Sequence, residues 1–384
     1  MTPGPRDRRA GPKRVYWHIG LPKTGTTYLQ GLLWANKRAL ARQGLLLPGP
    51  GHRRHLLASL ELREDPTLRN RPGDVREPWR KLVAEAQGWG GDVLITHEFF
   101  CAASPEQVRR GLAAFPDAEV HVVVTARAMV NLGISRWQEW VRNGGVQDID
   151  SYPPRHDYDP TDAWGWGSFD LADVLDRWGS AVPAERIHVL PMAGGSDPAD
   201  LWRRFATLVG VDPDSVDASV TEMNRSLGIV ETELLRRVNP HLTGFRKPFD
   251  RGHWIRGFLA RPDVMSPTGE RFRPGPEKLA DLQRRGERSL VMLRTGGYDV
   301  IGDLAQLEPR DVSGYRHPSE VTDTELLDAA VKVVAALMVK VRAVSRRRDN
   351  LQKAARRGRG GDNLSALFGT ARSRIRDRIR SARG

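Results

Sequence analysis

Two rhythms of apolar and polar residues alternate along the chain. VYWHIG at 15–20 is a short, β-branched apolar run, the mark of a buried strand. After a loop at 21–25, TTYLQGLLWANKRALARQ sets Leu29, Leu32, Leu33 and Leu40 at helical spacing and stops at Gly44. GDVLITHEFF (91–100) predicts a second strand with His97 and Glu98 at its C-terminal end. AEVHVVVTAR (118–127) predicts a third, ending at Arg127, and RIHVLPM (186–192) a fourth. Helical patterns lie between them at about 75–88, 104–114 and 168–180. Strands alternating with helices predict a three-layer α/β domain, a central parallel sheet flanked by helices. Ligands of such sheets sit outside the carboxyl ends of the strands, where Lys23, Glu98 and Arg127 all fall.

The rhythm breaks in two long segments. Residues 144–167 are rich in Gly, Pro, Asp and aromatics, and 239–276 hold many Pro and Arg. Long loops of this kind are often lids. From 322 to 344 a regular helix is expected, because Leu327, Val331, Val334, Met338 and Val341 step 4-3-4-3. That seam spans barely two heptads, so packing on its own domain is the first expectation and a dimer the second. The Arg-rich remainder, 345–384, is expected to be disordered. It carries a weak basic amphipathic stretch through Leu364, Phe368, Ala371, Ile375 and Ile379. No internal repeat is present.

Charge changes the picture less than its total implies. The net charge is +13, but 1–14 carry +4 and 345–384 carry +10, which leaves −1 for 15–344. The folded part is nearly neutral, and nucleic acid is not the expected partner. The basic tail leaves an anionic membrane surface open as one. A single cysteine, Cys101, excludes an intrachain disulfide framework and fits a reducing compartment. No apolar run approaches the roughly 20 residues of a membrane span, and the N-terminus lacks the apolar core of a secretory signal. A cytoplasmic protein is expected, peripheral at the inner membrane face if the tail binds lipid.

The candidate chemistry sits in HIGLPKTGTTYLQ, residues 18–30. It resembles a phosphate loop with the lysine moved ahead of the glycine. Gly25 lets backbone approach a ligand. The helix that follows offers unpaired N–H groups and a positive dipole end. Lys23 adds a charge, and Thr24, Thr26 and Thr27 add hydroxyls. These residues point to phosphate or sulfate. The Gly-Lys-Ser/Thr ending of an ATP or GTP loop is missing, as is a strand ending in the Asp that would hold Mg²⁺.

LPKTGTTYLQ resembles the 5′-phosphosulfate loop of sulfotransferases that use 3′-phosphoadenosine 5′-phosphosulfate (PAPS), in which Pro-Lys-[Ser/Thr]-Gly-[Ser/Thr]-[Ser/Thr] recurs. That family's second signature is a strand ending in Arg with a Ser eight residues later, both binding the 3′-phosphate. VVVTARAMVNLGISRWQEW matches it with Arg127 and Ser135. RWQEWVRNG, NRSLGIVETELLRRVN (224–239) and GYDVIGDLAQL (297–307) are similar to segments of actinobacterial-type members. The resemblance covers roughly 15–310, with tight motifs in a small part of it. It implies a P-loop-like sulfotransferase domain at 15–310, between a disordered N-terminus at 1–14, a helical extension at 311–344 and the tail at 345–384. The family's Arg-Lys-Gly clamp is absent, and Arg256, Arg261, Arg271 and Arg273 are the candidates to replace it.

The resemblance implies sulfuryl transfer from PAPS to a hydroxyl, less readily an amine, of a small molecule, carbohydrate or glycolipid. Lys23, Thr24, Gly25, Thr26 and Thr27 would hold the 5′ end, with Arg127 and Ser135 on the 3′-phosphate. In-line transfer needs positioning and charge stabilisation. It requires no metal, and the sequence shows no clustered His/Cys spacing. Lys23 would neutralise the leaving oxygen. Glu98 is the first candidate for the base and His97 its rival; in an extended strand only one of the two neighbours can face the site. His52 and His55 read as exposed loop residues. Trp137, Trp140, Trp164 and Trp166 read as core first and acceptor platform second. Two other functions remain open on sequence: a nucleotide kinase or phosphotransferase, and a non-catalytic anion-binding protein tethered by its tail.

Overall fold

A computed structural model describes residues 11–359, apart from 156–157, 160, 193–196, 218–226, 246 and 267. The first ten residues, 224–226 and the amphipathic stretch from Leu364 onward lie outside the described residues.

The described residues build six strands, β1 Lys13–Gly20, β2 Leu45–Leu46, β3 Asp92–Thr96, β4 Ala118–Arg127, β5 Ile187–Met192 and β6 Asp299–Val300. All pair in parallel in the order β2-β3-β1-β4-β5-β6. The helices are α1 Thr26–Ala35, α2 Lys37–Arg42, α3 His52–Leu62, α4 Pro78–Gln87, α5 Pro105–Leu112 and α6 Met129–Arg142, then α7 Leu171–Gly179, α8 Pro198–Leu208, α9 Ile229–Val238, α10 Pro248–Asp250, α11 Pro276–Thr295 and α12 Asp323–Arg359. This is the expected α/β sheet covered on both faces.

β1 shows why. Successive strand residues face opposite sides. Val15, Trp17 and Ile19 enter one buried cluster with Val93, Ile95, Val122 and Val124. Tyr16 enters the other, with Leu94, Val123, Leu190 and the α1 residues Leu29, Leu32 and Leu33. A strand buried on both faces has no polar side to show, so its sequence is a run and not an alternation. Trp17 anchors the first cluster, stacked on Trp79 at 5.0 Å and meeting Phe100 and Trp178 edge-on.

The strand order fixes the site. β1 is central, and the chain passes to β2 and β3 on one side before crossing to β4 on the other. The order reverses at β1, and the crevice opens at the C-terminal ends of β3, β1 and β4.

Four elements depart from the sequence pattern. β2 and β6 are two residues each, too short to leave a periodic signal. β3 ends at Thr96, because His97 is the cap of a 3₁₀ turn at Glu98–Ala102 and its side chain accepts from Phe99 N–H. α12 runs to Arg359, past the 344 boundary, through residues with good helix propensity. Among the described residues no helix is long and apolar enough to cross a membrane.

The irregular segment before α7 is pinned by a buried cation that the sequence pattern does not reveal. Arg136 on α6 is fully buried. It donates to Ser168 O at 3.2 Å, Ser168 Oγ at 2.9 Å, Ala163 O at 3.3 Å and the Tyr152 hydroxyl at 3.3 Å. Arg136→Ala strands these acceptors and opens a cavity, so it is expected to destabilise the fold by at least about 3 kcal/mol in urea denaturation.

Candidate functional site

The loop after β1 is shaped by three left-handed residues, Gly20 (φ 92°), Lys23 (φ 72°) and Gly25 (φ 84°). At Gly20 a Cβ would stand 2.7 Å from Glu98 Cβ, so the loop and the β3 turn touch there. Gly25 caps α1 with no side-chain hydrogen bond, and no acidic residue sits in the first turn. The amides of Thr26, Thr27 and Tyr28 therefore lack helical partners and point along the positive end of the dipole. Lysine tolerates positive φ poorly, and strain of this kind gathers at ligand sites.

Thr24 is turned inward. Its side chain is fully buried, donates to Leu21 O and shares a 2.6 Å hydrogen bond with Thr125 Oγ1 on β4. Its hydroxyl ties the loop to the sheet, which leaves the backbone amide as what it can offer a ligand. Thr26 is buried and Thr27 is exposed.

Lys23 reaches across to α6, where its Nζ donates to Glu139 Oε2 at 3.2 Å. The same carboxylate meets Arg142 at 3.4 Å and Arg256 at 3.5 Å. Burial opposes ionisation of Glu139, but Lys23, Arg142 and Arg256 outweigh it and pull its pKa down to about 2. No sequence pattern singles out Glu139, because two of its partners lie far away along the chain. Through it Arg256, from the 251–259 π-helix, is drawn to the loop lysine.

Arg127 and Ser135 meet at the end of β4, Nη1 donating to Oγ at 3.0 Å. The Arg127 Nε is buried without a partner among the described residues. Desolvation, with Arg310 and Arg271 nearby, holds its guanidinium below the ordinary arginine range. A buried guanidinium N–H without a partner among the described residues, in a field to which Arg271 and Arg310 add positive potential, suits an anion. Of the other clamp candidates, Arg271 bonds the Tyr315 hydroxyl, Arg261 pairs with Asp263, and Arg273 bonds Pro274 O. Arg310 joins them from outside the set that the sequence suggests.

On the β3 side, Gln30 from α1 donates to Glu98 Oε2 at 3.0 Å. Burial pushes the Glu98 pKa up, but His97, the Gln30 bond and His52 outweigh it and leave the carboxyl below its ordinary range. Strand alternation does not separate His97 from Glu98, because the strand has already ended; His97 Nδ1 lies 4.0 Å from Glu98 Oε2. His97 is 2% exposed, and burial drives its pKa down to about 3. Its Nδ1 accepts Phe99 N–H at 3.1 Å, so the neutral ring carries its proton on Nε2.

His52 and His55 are not the exposed loop residues expected. His55 is fully buried, bonded to Pro48 O at 2.8 Å and Thr96 N at 2.9 Å. The His52 ring lies 5.1 Å from that of His97. The fold thus gathers ligand atoms of His52, His97 and Glu98 within 4.8 Å of one another, a grouping that sequence spacing does not show. A metal there would have to displace the Phe99 bond from Nδ1 or the proton from Nε2. Trp137 and Trp166 are core, while Trp140 and Trp164 are partly exposed.

No family model matches this chain, and no curated protein does. Among solved structures it is similar to the crystal structure of a sulfotransferase from Alicyclobacillus acidocaldarius, at 19% identity over 65% of this chain and 97% of that one, with a TM-score of 0.38. A likeness that distant does not reach the chemistry of this chain.

Proposed function

We propose that this chain is a PAPS-dependent sulfotransferase that moves a sulfuryl group to a hydroxyl, less readily an amine, of a small-molecule, carbohydrate or glycolipid acceptor. The observation that supports it is a pair of cationic cradles on neighbouring strand ends. One is the Lys23 loop with the α1 amides, and the other is Arg127 with Ser135, in a field to which Arg271 and Arg310 add positive potential. A nucleotide with one run of phosphates needs one cradle. A nucleotide with a 5′-phosphosulfate and a separate 3′-phosphate needs two.

In this reading the backbone of Lys23–Thr27 and the Thr27 hydroxyl hold the 5′ end, and the arginine cluster holds the 3′-phosphate. The acceptor oxygen attacks sulfur in line. The bond from sulfur to the 5′-phosphate oxygen breaks, and that oxygen keeps the electron pair beside the Lys23 ammonium. Glu98, held ionised, takes the acceptor's proton. His97 fits this part less well, since its unbonded nitrogen already carries a proton. The donor set asks for no metal.

Thermal shift tests the reading. 3′-Phosphoadenosine 5′-phosphate should raise the wild-type melting temperature, and Arg127→Ala should lose most of that rise, because only binding to the folded state stabilises. A rise with ATP–Mg²⁺ alone would overturn it in favour of a phosphotransferase.

A further inference from the structure

We infer that the chain forms an antiparallel dimer through α12. The helix has two apolar faces. One is used: Leu326 is buried, and Ala329, Ala330 and Val333 pack against the main core. Lys340, further along, pairs with Asp263. The other face is the 4-3-4-3 seam, for which packing on its own domain is the first expectation from spacing. It does not pack there: Leu327, Val331, Val334, Met338 and Val341 stand between 58% and 65% exposed. At 1.5 Å per residue this stripe is about 21 Å long. Single exposed apolar residues need no explanation, but five in a coiled-coil rhythm along one helix do.

Charge selects the occupant and its direction. The first turns of α12 carry Asp323, Glu325 and Asp328, and its later turns carry Lys340, Arg342, Arg346, Arg347 and Arg348. A parallel copy would lay the basic half on itself. An antiparallel copy lays it on the acidic half. In that direction Leu327 and Val331 of one copy face Met338 and Val334 of the other, the mixed layering that antiparallel pairs use. Asp323 already pairs with Arg237 at 3.2 Å and Glu325 with Arg316 at 2.9 Å, so Asp328 is the acidic group of this half that the ion pairs among the described residues leave for the basic turns of the other copy. The seam is thus complementary to itself in shape and charge, as a two-fold interface must be.

Sedimentation equilibrium of the full chain tests this. Twice the chain mass is expected at micromolar concentration, and Val331→Glu with Met338→Glu should give a monomer that keeps the wild-type circular-dichroism spectrum, its melting temperature lowered only by the lost association. Chains carrying Leu327→Cys, mixed with chains carrying Met338→Cys, should cross-link on oxidation, because the antiparallel register sets these two positions against each other. Leu327→Cys alone should not cross-link to its own copy, as it would in a parallel pair. A monomer at high micromolar concentration overturns the inference. So does a dimer indifferent to the seam variants, or one in which Leu327→Cys cross-links to its own copy. A monomeric wild type that sediments with phosphatidylserine vesicles and loses them in the seam double variant also overturns it, giving the seam to a membrane surface.

Discussion

A Lys23→Ala enzyme will bind 3′-phosphoadenosine 5′-phosphate and transfer almost nothing. The nucleotide's 3′ end is held on the proposed reading by Arg127 and Ser135, on a different strand. On that reading Lys23 supplies charge where the leaving oxygen develops it. Loss of one such group costs about 10²–10³ in turnover, or about 3–4 kcal/mol. Transfer of labelled sulfate from PAPS to any acceptor the wild type accepts measures this, and a variant with full turnover would remove Lys23 from the chemistry. Glu139→Gln is the informative partner. In the empty site Glu139 holds Lys23, Arg142 and Arg256, so an incoming anion must compete with it. Removing that carboxylate's charge should tighten nucleotide binding while leaving turnover within about tenfold.

The fold was legible because buried parallel strands write themselves as apolar runs, and β1, β4 and β5 do so plainly. The left-handed turn into α1 was legible because it depends on residues close together in sequence. Arg127 and Ser135 were legible for a related reason, being two helical turns apart along one strand-to-helix junction. What was hidden is long-range. Glu139, Arg310 and Arg136 are charged residues in unremarkable settings, and only the packing of distant elements gives them partners. His52 read as loop because charge in GHRRH conceals a helix start that turns inward. The α12 seam was legible as a pattern but not as a surface, since two apolar faces on one helix cannot be told apart by spacing alone.

Acid is expected to destabilise this protein from about pH 6.5 downward, before its ordinary carboxylates titrate. Among the described residues, His18, His55 and His97 are buried neutral. Desolvation lowers His18 and His55 to about 4 and His97 to about 3, from an ordinary value of 6.5. His18 faces Glu98, His55 faces His52 and Lys37, and His97 faces Glu98, His52, His55 and Arg63, so the one acidic neighbour does not offset burial. The His18 Nε2 has no partner among the described residues, and a proton there would be an unpaired charge in the core. Below pH 6.5 the unfolded chain takes up protons that the fold refuses. Stability is therefore full above that pH, falls as pH drops, and stops falling on this account only below the folded values. Each histidine contributes a slope of about 1.4 kcal/mol per pH unit, so three give about 4. By pH 4.5 the loss is about 8 kcal/mol, comparable with the whole stability of an ordinary domain. Urea denaturation at a series of pH values should show this slope between pH 6 and 4.5, and His18→Gln should reduce it by about a third. A flat profile down to pH 5 would mean that these rings gain protons in place, and that the pocket beside Glu98 admits water and charge far more freely than its packing indicates.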